Sequence, residues 1–104
     1  MLDNTTKTIQ YWDEQRKALG FETVWSMWDF KDIDQNIFKP GVKRVSYTFG
    51  DTEVSSFAIS GKVRDIWEAA ESCFQQAKQQ GDWHVFIEDI ELGSDGSYEL
   101  VMGS

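Results

Sequence analysis

Histidine, cysteine and proline each occur only once in the 104 residues, as His84, Cys73 and Pro40. A lone cysteine makes no internal disulfide, which fits a reducing compartment. One histidine and one cysteine also leave a zinc site of the usual kind without its ligands, so no metal or cofactor is expected. Basic residues are scarce: ten Lys and Arg stand against eighteen Asp and Glu, a formal charge of −8. That balance removes the phosphate-neutralising surface used by nucleic-acid binders and disfavours an anionic bilayer. Apolar runs extend a few residues, against ~20 for a membrane span. The start, Met1-Leu2-Asp3-Asn4, has no basic region followed by an apolar stretch, and the expected location is cytoplasmic.

What the chain does have is aromatic surface. Five Trp, three Tyr and seven Phe within a 40% hydrophobic composition exclude a disordered or low-complexity chain. The length suits a single domain, residues 1–104, which buries roughly 65% of its unfolded surface without disulfides or metal. There is no repeat and no linker. The dipeptide Gly103-Ser104 matches the remnant left by expression linkers and is set apart from the fold argument.

Asn4 to Leu19 reads as a helix with a thin apolar stripe of Ile9, Trp12, Arg16 and Leu19, capped by Asp3 or Asn4 and stopped by Gly20. Asp13 and Lys17 stand i,i+4 in the favourable order. Phe21 to Phe30 is aromatic and β-branched without helical spacing, hence a strand. After a loop from Lys31 to Gly41, Lys43–Phe49 and Thr52–Ile59 form a hairpin about Gly50-Asp51. The alternation there predicts Val45, Tyr47, Phe49, Phe57 and Ile59 on one face, with Arg44, Ser46 and Thr48 towards water. Lys62 to Gln80 is the strongest helix, with Ser60 as cap, Gly81 as stop and an apolar stripe of Val63, Ile66, Trp67, Ala70, Phe74 and Ala77. Asp82–Leu92 and Ser97–Met102 follow as strands joined by the turn Gly93-Ser94-Asp95-Gly96. The fold class is therefore α+β, a five-stranded and mainly antiparallel sheet with two helices in the order α-β-β-β-α-β-β.

Strands one and four are apolar on both faces: Phe21, Trp25 and Met27 alternate with Val24, Trp28 and Phe30, and Trp83, Val85 and Ile87 with His84, Phe86, Ile90 and Leu92. Such strands need cover on both sides. Three arrangements supply it. One helix can lie on each face. A second copy can close the aromatic face, since Trp and Tyr are favoured anchors of twofold interfaces. Alternatively a concave sheet holds a small ligand. In the last case Trp25, Trp28 or Trp83 beside Glu22 or Glu88 favours an organic cation; otherwise the indoles are core and the carboxylates face water.

Other chemistry is weakly encoded. His84 and Glu88 share a strand face but lie on either side of Phe86, and alternate residues of a strand are roughly 7 Å apart, which argues against a dyad. Cys73 sits at the edge of the helical stripe as an inert thiol. Asp29 to Asn36 resembles the start of a calcium loop, but Ile37 and Lys43 occupy positions that such a loop fills otherwise. Glu88, Asp89, Glu91, Asp95 and Glu99 make the C-terminal hairpin acidic, either as an edge protected by charge or as a mimic of a phosphate backbone.

With a helix such as Val63-Arg64-Asp65-Ile66-Trp67-Glu68-Ala69-Ala70 and terminal hairpins, this small acidic chain resembles the accessory proteins of bacterial mobile elements, of the integron gene cassette or phage type. The resemblance implies a non-enzymatic binding module. The expected function is thus interaction: homodimerisation through the aromatic face around Trp25, Trp28, Trp83, His84 and Phe86. The alternatives are capture of a cationic or aromatic small molecule, and acidic inhibition of a nucleic-acid-handling protein through a basic partner surface.

Overall fold

Helix α2, Val63–Lys78, organises the molecule because its stripe is fully apolar: Val63, Ile66, Trp67, Ala70, Phe74 and Ala77 are all buried. The structure, a computed structural model, describes residues 4–93 and 95–103, with side chains from residue 7 onward. Asp3, Ser94 and Ser104 lie outside the described residues. Around α2 stand α1 (Asn4–Leu19) and five strands: β1 (Val24–Trp25), β2 (Lys43–Phe49), β3 (Thr52–Ala58), β4 (Phe86–Leu92) and β5 (Tyr98–Gly103). The element order is the one read from the sequence. Both helices end on a glycine with positive φ, Gly20 at 74° and Gly81 at 94°. In each case the following residue's N–H reaches the carbonyl five residues back, Phe21 to Arg16 at 3.1 Å and Asp82 to Ala77 at 3.1 Å, as glycine-terminated helices do. At the start of α2, Ser60 Oγ bonds the Asp65 carboxylate and accepts the Lys62 N–H at 3.1 Å. Ser60 thus acts just ahead of the N-cap, which is Lys62.

The sheet runs β1-β4-β5-β2-β3 and is mixed, which corrects the expectation of a mainly antiparallel sheet. The hairpins β2/β3 and β4/β5 are antiparallel, but β1 joins β4, and β2 joins β5, in parallel. The two hairpins lie side by side rather than meandering, and sequence alternation carries no sign of strand direction.

Trp12 of α1 and Trp67 of α2 are 6.1 Å apart by ring centroids, and both meet Trp25 of β1, at 5.8 and 5.6 Å. Both helices therefore cover one face of the sheet. Ile87 and Leu100 point into that core, as do Val45, Tyr47 and Val54. The opposite face is open, and there Phe57 is 63% exposed, with Phe86 and Val101 also solvent-facing. The inward placement expected for Phe57 is corrected by the hairpin. A two-residue loop pairs Phe49 with Thr52 and so sets Phe57 across from Arg44, on the polar side. A register shift at Glu88 lets both Ile87 and Ile90 pack inwards, as a bulge permits.

Strand β1 is far shorter than the expected 21–30, because side chains capture its backbone. Glu71 Oε1 accepts the N–H groups of Glu22 and Thr23 at 3.1 and 2.9 Å and the Thr23 hydroxyl at 2.6 Å. The Trp67 indole donates to that same hydroxyl oxygen at 3.0 Å. Beyond Trp25 the chain folds on itself through the indoles: Trp25 Nε1 donates to the Met27 carbonyl, and Trp28 Nε1 to the Trp25 carbonyl. Groups that a ladder would use are thereby satisfied locally.

Candidate functional site

Strands β2 and β5 pair over only two positions, Val45 with Tyr98 and Ser46 with Glu99. Beyond them the strands part, and the gap is an open cleft of about 590 Å³ lined by Tyr47 to Gly50, Gln80 to Asp82, His84, Glu91 and Glu99 to Met102. It lies at the carboxyl ends of two parallel strands, where open sheets commonly receive ligands. Tyr47 and Leu100 enter from the helix-covered side, while Glu91 and Glu99 are partners across β4 and β5 on the open face. The carbonyl end of α2, with its partial negative charge, supplies Gln80 and Gly81.

The mouth of the cleft is organised by Asp82, whose side chain is 7% exposed. It accepts the Tyr47 hydroxyl at 2.9 Å and lies 2.8 Å from His84 Nδ1. Burial alone raises the Asp82 carboxyl, but hydrogen bonds from His84 and Tyr47 outweigh it and hold the group below its ordinary value. An ionised carboxylate only accepts, so the proton in this bond resides on His84 Nδ1. Among the described residues Nε2 has no partner, so in the neutral ring it is an acceptor on the cleft wall. Trp83 stacks on the imidazole at 4.6 Å and 15° and fixes its plane. Tyr47 stays a neutral phenol, since burial and the Asp82 carboxylate push its ionisation above the usual range.

The residues singled out from the sequence fall into separate places. Trp25 is core, 1% exposed, within the three-indole cluster. Trp28 and Glu88 border a hollow of about 300 Å³ together with Asp89. Trp83 and Glu22 border another of about 410 Å³, but Arg16 and Lys78 line it too. Lys78 lies 3.2 Å from Glu22, and the Gln75 amide and this ammonium hold the Glu22 carboxyl below its usual range. Phe86 lies on the open face, paired with Gly103. His84 meets Asp82 rather than Glu88, whose side chain lies over Gly103. Cys73 is fully buried, its thiol donating to the Val45 carbonyl at 3.5 Å, and desolvation pushes it up to about 12. Asp34, within the calcium-like run, is paired with Arg64 at 3.0 Å.

Sequence reasoning missed Tyr47 and Asp82 as site residues, and placed Glu91 and Glu99 in an acidic hairpin without showing that they face each other. One signal was present: Asp82 follows the helix-stopping Gly81 and stands two residues before the only histidine, within reach of its ring once the segment leaves the ladder. The strand expected over 82–92 hid it, because the ladder begins only at Phe86. No helix among the described residues is long and apolar enough to cross a membrane. No family model matches the chain, and no curated protein or solved structure matches it at a significant level.

Proposed function

We propose that the protein is a binding module that captures an organic cation bearing N–H donors, an ammonium or amidinium group, in the cleft between β2 and β5. The observation that carries this reading is the cleft's charge. Among the described residues, Asp82, Glu91 and Glu99 line it and no Lys or Arg does. The Trp83–Glu22 hollow, by contrast, contains two cations of its own. Like charges set directly opposite across strands, as Glu91 and Glu99 are, disfavour the empty state and are relieved by a positive ligand. The net charge of −8 reinforces the local field and draws cations towards it. His84 Nε2, which no described residue partners, adds an acceptor when the ring is neutral, which rewards a ligand that can donate. Phe49 and Tyr47 supply apolar and aromatic wall, the usual companions of a few fixed polar groups in small-molecule sites.

Titration calorimetry and thermal unfolding with spermidine test the reading, with tetramethylammonium as the cation lacking N–H groups. At a spermidine concentration ten times Kd, linkage gives about 1.4 kcal/mol and a rise in Tm of about 6–10 °C. The Glu91→Gln/Glu99→Gln protein loses most of this response, while Glu14→Gln/Glu68→Gln, which removes equal charge from exposed helix positions, keeps it. Equal responses from the two double variants, or from the two cations, refute the site.

A further inference from the structure

The other unused surface lies at the end of the sheet. Strand β3 is an edge strand of seven residues, and the opposite edge, β1, has only two. Long free edges are normally shielded by charge, proline or a covering element, because unpaired backbone groups accept a further strand. The only charge in β3 is Glu53, and it is already bound to Arg44 at 3.0 Å. The Gln76 amide donates to the Ser55 carbonyl at 2.9 Å, so that carbonyl points away from β2. By the alternation of an antiparallel ladder, the N–H of Ser55 and both backbone groups of Phe57 then also point outwards.

The same end of the edge carries apolar surface. Phe57, Ile59 and Val42 are 63%, 73% and 69% exposed. We propose that β3 pairs antiparallel with β3 of a second copy about a twofold axis at Phe57, which joins two five-stranded sheets into one of ten strands. The occupant is a second copy because the edge is complementary to itself. In this register Phe57 faces its own counterpart, Ser55 faces the partner's Ile59, and the two apolar ends merge on the open face. Glu53 falls opposite the partner's Gly61, beyond the overlap, so no like charges meet. The central Phe57 pair exchanges both backbone hydrogen bonds, and Ser55 contributes its N–H while its carbonyl keeps Gln76. Twofold pairing of one patch with itself is also the commonest closed assembly. This surface lies at the opposite end of the sheet from β1 and does not depend on the cation reading.

Sedimentation equilibrium tests it on the whole chain. The expected wild-type mass is twice 12.0 kDa, and the dimer tightens as salt rises, since two chains of −8 each repel at long range. Cation capture in the cleft has the opposite salt dependence, which separates the two ideas. Phe57→Lys removes the central apolar pair at an exposed position, and Ser55→Pro removes an outward donor without touching the β2 ladder. Each weakens the dimer by about tenfold or more, and circular dichroism of the Lys variant shows that the fold persists. A wild-type chain that stays monomeric at about 0.5 mM overturns the proposal, even where an extended peptide adds to the same edge. So does a dimer that both substitutions leave intact.

Discussion

Replacing Asp82 by Ala strikes the cleft and the fold through one carboxylate, and its effect depends on what remains opposite. Tyr47 is 5% exposed and donates its hydroxyl to Asp82 at 2.9 Å. With the carboxylate gone, the remaining partner for that hydroxyl is His84 Nδ1 at 3.4 Å, a long contact that accepts only when the ring proton sits on Nε2, so the cost is about 1–3 kcal/mol. The contact with His84, whose side chain is 34% exposed, adds less than about 1 kcal/mol after solvent screening. The expected loss is thus about 2–3 kcal/mol, a fall in urea midpoint of about 1–2 M. The sharper consequence concerns a second substitution. Tyr47→Phe in the wild type leaves Asp82 short of one donor and costs about 1 kcal/mol. In the Asp82→Ala background the same change removes a hydroxyl left with only the long His84 Nδ1 contact and recovers up to about 1 kcal/mol, a reversal of sign in a double-mutant cycle. Urea unfolding followed by fluorescence of the Trp12, Trp25 and Trp67 cluster measures all four proteins. If Tyr47→Phe costs the same in both backgrounds, the hydrogen bond is not what holds this corner together.

Two further outcomes follow from the packing. A Cβ on Gly61 would lie 2.2 Å from the Phe38 carbonyl oxygen, a backbone atom, whereas one on Gly103 meets only the flexible Glu88 side chain. Gly61→Ala is accordingly expected to cost about 2–4 kcal/mol and Gly103→Ala less than about 1 kcal/mol in thermal melts; comparable losses at the two sites refute the argument. Burial raises Cys73 from 9.0 to about 12. This contribution to stability is complete below pH 9.0 and is lost as pH climbs towards about 12, so the urea midpoint falls over that window. Cys73→Ala lessens this alkaline decline and delays its onset, leaving the part that Tyr47 contributes with the same sign, and a thiol reagent at pH 8 labels wild-type Cys73 no faster than the chain unfolds; an immediate reaction contradicts the burial.

Order and type of the elements were legible because each depends on neighbours in sequence. The stripe from Val63 to Ala77, the stops at Gly20 and Gly81 and the hairpin at Gly50-Asp51 are all local. The phase of β3 was legible too, because that two-residue loop sets Phe57 across from Arg44, although alternation alone grouped it with Tyr47. Two features were not. The shortness of β1 came from Glu71, remote in the chain, which takes the N–H groups of Glu22 and Thr23. The cleft is the hardest case, because it exists only where β2 and β5 part and residues from four segments converge. The aromatic residues do not form the two-faced strands expected: three indoles fill the core, Trp28 and Trp83 lie exposed outside the ladder, and the open face carries Phe57 and Phe86.

The strand at the centre of the sheet, β5, is also the last of the five to be synthesised. Until it leaves the ribosome, β1 with β4 and β2 with β3 have no common ladder, so the nascent chain holds two half-built pieces and an uncovered apolar core. Folding of this domain is consequently a late, all-at-once event rather than a progressive one. Trimming the C-terminal strand does not fray an edge; it cuts the sheet in two.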